Sequence, residues 1–308
     1  MQVAITGATG FVGTRLVERL QAQGMGSLRV LTRNPERARA IFPAERYPQL
    51  EAVAYTPQRS GAWQQVLDGC DAAINLAGEP LADKRWTPAR KREIRDSRAI
   101  GTRRIVEAIT QAQRPPQVLI NASAVGYYGT SETATFDESS PPGSDFLAQV
   151  CQDWEAEAQA VERVGTRLAI LRFGIVMGPG GALGKMLPPF RSFLGGPLGS
   201  GRQWVSWIAR DDLADALCYA LNAPEMQGTF NATAPNPVRM RELADTLGRV
   251  LNRPSWLPVP GAALELLLGE GARVVLEGQR VLPNRLQAAG FPFQYPTLEP
   301  ALAHIVAR

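Results

Sequence analysis

The chain has 308 residues, 45% of them hydrophobic and 20% charged, with a formal net charge of +4 at pH 7. That balance is ordinary for a globular protein and excludes wholesale disorder, a collagen-like repeat and a disulfide scaffold. No apolar run approaches the ~18 residues that cross a bilayer, since Glu265 and Glu270 interrupt the best candidate at 264–268. Cys70, Cys151 and Cys218 lie far apart without a C-x-x-C pair, and His304 is the single histidine. Neither a thiolate zinc site nor an imidazole-rich metal site is therefore expected. Nothing ahead of Val3 has the basic and small-residue pattern of an export signal, so the expected location is the cytoplasm.

In chain order, residues 3–6 read as a short strand. A glycine turn follows, then a helix in which Phe11, Val12, Leu16 and Leu20 fall at near-helical spacing. Further strands are expected at 28–31, 52–55, 72–76, 118–121 and 168–171, with helices through 103–109 and 148–162. Alternating strand and helix predicts an α/β fold, a doubly wound parallel sheet of Rossmann type with helices on both faces. From Met177 the pattern gives way to Gly- and Pro-rich loops at 178–181, 195–197 and 199–201. Helical patterns return at 211–221, 240–251, 262–268 and 298–306. The expected organisation is a dinucleotide-binding domain at 1–177, with 206–226 returning to it. Residues 178–205 and 227–308 form a smaller, mixed C-terminal lobe of substrate-binding type.

The run Thr6-Gly7-Ala8-Thr9-Gly10-Phe11-Val12-Gly13 places three glycines between the first strand and the first helix. Gly7 permits a tight turn, Gly10 lets backbone amides approach a pyrophosphate, and Gly13 lets the helix pack close to the sheet. The positive end of the helix then favours the phosphate charge. About twenty residues on, where an NAD site presents Asp or Glu to the ribose, this chain has Thr32-Arg33-Asn34. A guanidinium and a hydroxyl suit a 2′-phosphate, so the expected cofactor is NADP(H). The strand ending in Asn75-Leu76-Ala77-Gly78 can pass small residues under the adenine-ribose side.

Nine of the 33 basic residues lie between Lys84 and Arg104, against only Glu93 and Asp96. Trp86 is the single aromatic residue in this stripe and no nucleic-acid motif surrounds it. We expect a solvated helix face or a site for a small phosphorylated ligand rather than a nucleic-acid footprint.

With these residues in hand, the chain resembles the extended short-chain dehydrogenase/reductase superfamily. More narrowly, it is similar to an epimerase-like branch with a C-terminal domain of unknown function. The resemblance rests on the glycine run, on 74–79 (Ile-Asn-Leu-Ala-Gly-Glu), on 122–129 (Ala-Ser-Ala-Val-Gly-Tyr-Tyr-Gly), on 195–201, and on 276–283 (Leu-Glu-Gly-Gln-Arg-Val-Leu-Pro). It implies NADP(H) held at the glycine run and by Thr32, Arg33, Leu76, Ala77 and Ile175, with Glu93 and Arg98 as further cofactor contacts. A helix-surface salt bridge accounts for Glu93 equally well.

The superfamily uses Tyr-x-x-x-Lys to exchange a proton near neutral pH, and no such pair occurs here. Where the motif should lie, Phe146 or Leu147 takes the tyrosine place and Val150 or Cys151 the lysine place. Ser123 stands near the superfamily's usual catalytic hydroxyl, and Tyr127 or Tyr128 is either a displaced acid or a packed aromatic turn. The function expected is an NADP(H)-binding oxidoreductase or epimerase-like protein acting on an unidentified small molecule. The resemblance offers an alternative, because some members of the branch are labelled SulA-like: a non-catalytic, cofactor-bound regulator whose partner belongs to the division machinery, such as FtsZ. Neither reading involves nucleic acid or a membrane.

Overall fold

Residues 1–307 are described in the computed structural model. The first strand, β1 (Gln2–Thr6), is buried almost end to end because small or apolar side chains occupy both of its faces. There follow α1 (Phe11–Ala22), β2 (Ser27–Thr32), α2 (Pro35–Ile41), β3 (Leu50–Ala54), β4 (Ala72–Asn75), α3 (Pro88–Gln111) and β5 (Val118–Ala124). A two-residue β6 (Thr135–Phe136) precedes α4 (Phe146–Gln159), β7 (Arg167–Phe173), β8 (Ile175–Gly178) and α5 (Gly181–Arg191). Next come β9 (Trp204–Val205), β10 (Trp207–Ala209), α6 (Arg210–Asn222), β11 (Gly228–Ala232), β12 (Val238–Arg239) and α7 (Met240–Leu251). The chain closes with α8 (Gly261–Leu268), α9 (Arg273–Leu276), β13 (Arg280–Val281), α10 (Asn284–Ala288) and α11 (Leu298–Val306).

Seven strands form one parallel sheet in the order β11-β7-β5-β4-β1-β2-β3. Strand order reverses beside β1, which opens a crevice at the carboxyl ends of the strands, where α/β sheets take their ligands. A polar row crosses the sheet there, because Thr6, Asn75 and Asn121 are register partners on β1, β4 and β5. Thr6 Oγ1 donates to Asn75 Oδ1 at 2.6 Å, and Asn75 Nδ2 donates to Thr102 Oγ1 and Asn121 Oδ1, each at 2.8 Å. These groups are fully buried, so the bonds offset a desolvation cost that would otherwise disfavour the row. A second apolar core, with Trp207, Phe190, Leu183 and Leu247, lies under the C-terminal lobe. Helix α6 packs against α1 through Arg15–Asp211 at 2.7 Å and Arg19–Asp215 at 2.9 Å.

The α/β architecture is the expected one, with three local differences. Helix α3 extends far ahead of 103–109, starting at Pro88 with Thr87 Oγ1 accepting from the Arg90 amide at 3.2 Å. Its first half is charged around most of its circumference, which hides the apolar period. Helix α5 forms in the Gly/Pro-rich stretch, despite Pro188 and Pro189, because Leu183, Leu187 and Phe190 are buried beneath it. The return to the sheet also runs past 226, since β11 is the edge strand beside β7.

Candidate functional site

Gly7 has φ +71°, a region that L side chains disfavour, and its carbonyl accepts from the Gly10 amide at 3.0 Å to close the turn. A Cβ on Gly13 would lie 2.2 Å from the Gly7 carbonyl oxygen, so only glycine lets α1 pass this close. No side chain caps α1 at Gly10, which leaves the first-turn amides turned toward the crevice. The Phe11 ring lies against Gly178, Gly180 and Gly181, with the Arg210 guanidinium 5.0 Å from its centroid. This contact ties the glycine turn to the start of α5.

A cavity of about 530 Å³ runs from this turn toward the C-terminal lobe. Gly7, Gly10, Phe11, Val12, Leu76, Arg98 and Ile175 are on its wall. Ala77 lies just behind, its amide donating to Thr6 Oγ1 at 3.3 Å, and Thr9 sits half-buried within the turn. Thr32 and Arg33 stand at the end of β2 and are not on the cavity wall itself. The Thr32 hydroxyl accepts from the Asn34 amide at 3.2 Å. Arg33 is largely exposed and pairs with Glu79 at 3.2 Å. Burial opposes the charge on Glu79, yet hydrogen bonds from Arg90 and the nearby Arg33 hold its carboxyl below the usual range. Glu93 is off the cavity wall and pairs with Arg90 at 2.8 Å, so the salt-bridge alternative describes its geometry.

Arg98 is the charged centre of the cavity. Its guanidinium donates to the carbonyls of Ile94 and Glu79 at 3.1 and 3.0 Å and lies over the Trp154 ring at 5.3 Å. Among the described residues no carboxylate forms an ion pair with it, and burial pulls its pKa down from the ordinary arginine value. Of its eight basic neighbours at 84–104, three pair with acids distant in sequence, Lys91 with Glu270, Arg95 with Asp153 and Arg103 with Glu157, while Arg90 pairs with Glu79 and Glu93 and Arg104 with Glu107. Much of the stripe is thus drawn into ion pairs, with Arg98 turned inward to the cavity.

At the other end of the wall, Ser123 Oγ donates to Glu155 Oε1 at 2.6 Å. Arg172 grips both oxygens of the same carboxylate at 2.8 and 2.7 Å, and donates to the Tyr128 hydroxyl at 2.9 Å. The Tyr128 hydroxyl in turn donates a hydrogen bond to Asn231 Oδ1 at 2.7 Å. Burial pushes the Tyr128 phenol up to about 12, and neither Tyr127 nor Tyr128 reaches the cavity wall. Leu147 and Cys151 pack beside Gly126, just beyond Ser123, whereas Phe146 stacks edge-on against Trp86 at 5.4 Å. Burial pushes the Cys151 thiol up to about 12. The residues missed from sequence are Glu155, Arg172 and the wall tryptophans Trp86, Trp154 and Trp204. One signal was available for Glu155, since Leu147, Cys151 and Glu155 at i, i+4 and i+8 share one face of α4.

A parallel sheet whose glycine turn and uncapped helix end open on a cavity with an inward-facing cation defines the class of dinucleotide-binding α/β proteins. Within it, residues 3–232 match the NAD dependent epimerase/dehydratase family and residues 259–305 match a domain of unknown function, DUF1731. The chain belongs to this epimerase family. It is 50% identical to the epimerase family protein SDR39U1 homolog, chloroplastic, of Arabidopsis thaliana, over 99% of this chain and 87% of that protein. It is 40% identical to the epimerase family protein YfhF of Bacillus subtilis, over 100% of this chain and 98% of that one. The crystal structure of human epimerase family protein SDR39U1 with NADPH superposes with a TM-score of 0.87 at 36% identity, covering 100% and 99% of the two chains. No described helix is long and apolar enough to cross a membrane.

Proposed function

We propose that this protein is an NADP(H)-dependent oxidoreductase acting on a small molecule held between the sheet and the C-terminal lobe. The observation that carries the reading is Arg98, a cation whose hydrogen bonds go to backbone carbonyls and not to a carboxylate among the described residues, facing the same cavity as the uncapped start of α1. Together they form a receptor for a pyrophosphate. Gly7, Thr9, Gly10, Phe11 and Val12 would line the phosphates, and Leu76, Ala77 and Ile175 the sugar and nicotinamide side. Arg33 would leave Glu79 for the 2′-phosphate, with Thr32 beside it. The bound cofactor supplies hydride chemistry; the chain binds, orients and shields it. The NADPH in the human relative supports this reading. The division-regulator alternative rests on a family label, with no residue of this chain behind it.

The test is direct, because three of the six tryptophans line the cavity. Titration with NADPH should quench intrinsic fluorescence, saturably and at roughly tenfold or more lower concentration than NADH. Absence of quenching by both nucleotides, together with no uptake by calorimetry, would overturn the proposal.

A further inference from the structure

We infer that the acceptor for the hydride is a planar conjugated electrophile of the quinone class; the inference rests on the oxidoreductase reading above. A simple ketone becomes an alkoxide as hydride arrives, and enzymes meet that charge with a positioned proton donor whose pKa lies near the working pH. Here the hydroxyl protons closest to that end of the cavity are already committed. Ser123 lines the cavity but donates its hydroxyl proton to Glu155, whose two carboxylate oxygens also accept from Arg172, so that proton is engaged away from the cavity. Tyr128 donates to Asn231 and lies behind the wall. On α4, Leu147 and Cys151 stand beside Gly126, where the tyrosine and lysine of the superfamily would face Ser123. Among the described residues no histidine, lysine or tyrosine lines the cavity.

The walls state the complementary requirement. Trp86, Phe146, Leu147, Val150 and Val274 form an apolar and aromatic surface, with Trp204 on the C-terminal side. Such a surface favours a flat, uncharged ring system. The ionic groups at the rim are engaged as well: Arg273 pairs with Glu277 at 2.9 Å, and the Asp145 carboxylate accepts from the Ala148 amide at 2.9 Å as the cap of α4. A quinone fits both conditions. It accepts the hydride with its electron pair from NADPH, which becomes NADP⁺. The product is the hydroquinone monoanion, a far weaker base than an alkoxide, and it takes its proton from water after transfer. One hydride and one proton thus convert quinone to hydroquinone with no proton supplied by the protein.

The experiment uses the full chain with NADPH, following absorbance with 1,4-naphthoquinone and, separately, with cyclohexanone. Saturable quinone-dependent oxidation of NADPH is expected, roughly tenfold or more above the rate without protein, while cyclohexanone gives no turnover. Between about pH 6 and 8 the quinone kcat should be flat, because no side chain has to deliver a proton. Trp86→Leu should raise the quinone KM several-fold and leave NADPH quenching of the remaining tryptophans at the same midpoint. Comparable turnover of cyclohexanone, or a quinone rate equal to background while NADPH still binds, would overturn the inference and leave the cofactor reading standing. Failure of NADPH to bind would remove both.

Discussion

Ser123 on β5 and Glu155 on α4 are joined by a 2.6 Å hydrogen bond, although 32 positions separate them in the chain. Glu155 is 4% exposed and Arg172 is equally buried, so the bond belongs to an ion pair removed from water. Burial opposes the charge on Arg172, but Glu155 more than compensates and holds its pKa above the usual value.

Removing one member of such a pair leaves the other charged and unsatisfied. Glu155→Ala is expected to destabilise the protein by about 3–5 kcal/mol. Urea unfolding monitored by circular dichroism checks this; a loss under about 1 kcal/mol would mean that water already reaches the pair.

Cofactor choice is expected to follow Arg33. Arg33→Ala should weaken NADPH binding by roughly tenfold or more, the worth of a charge-assisted hydrogen bond, and change NADH binding much less. Equal weakening of both nucleotides would place Arg33 outside the 2′-phosphate site.

Close packing of α1 on the glycine turn predicts that Gly13→Ala costs about 1–3 kcal/mol through overpacking and abolishes NADPH quenching. The control is Gly184 on α5, where an added Cβ meets nothing within 4 Å. There Gly184→Ala should be neutral or stabilising by about 0.5–1 kcal/mol. Thermal unfolding of the two variants separates crowding from a general intolerance of alanine.

Acid should weaken the junction around Glu79. Its carboxyl titrates below the ordinary value of 4.5 in the folded protein, so the folded state binds its proton less readily than the unfolded chain does. The stabilisation it contributes is therefore complete above about pH 4.5 and is lost as pH falls through the lowered folded value. Glu79→Gln should flatten the decline of stability between about pH 5 and 3, measured by urea midpoints. An unchanged slope would show that the pairs with Arg90 and Arg33 contribute nothing in solution.

Much of this protein was legible without coordinates, because its signals are local. The glycines at 7, 10 and 13 each answer a backbone requirement a few residues away, and the α/β alternation follows from periods of two and 3.6. Even the bounds of α7, Met240–Leu251, coincide with the apolar period. Where local signals mislead, as in the Gly/Pro-rich stretch that becomes α5, distant burial supplied the missing free energy.

The chain by itself determined the parallel sheet, the dinucleotide turn and the loss of the Tyr-x-x-x-Lys pair. Tertiary structure alone decided which charges are free to meet a ligand. Lys91 finds Glu270 across 179 positions, Ser123 finds Glu155, and Arg98 is left facing Trp154 and open space. Charge pairing depends on distances between side chains from separate elements, and no sequence period encodes those distances.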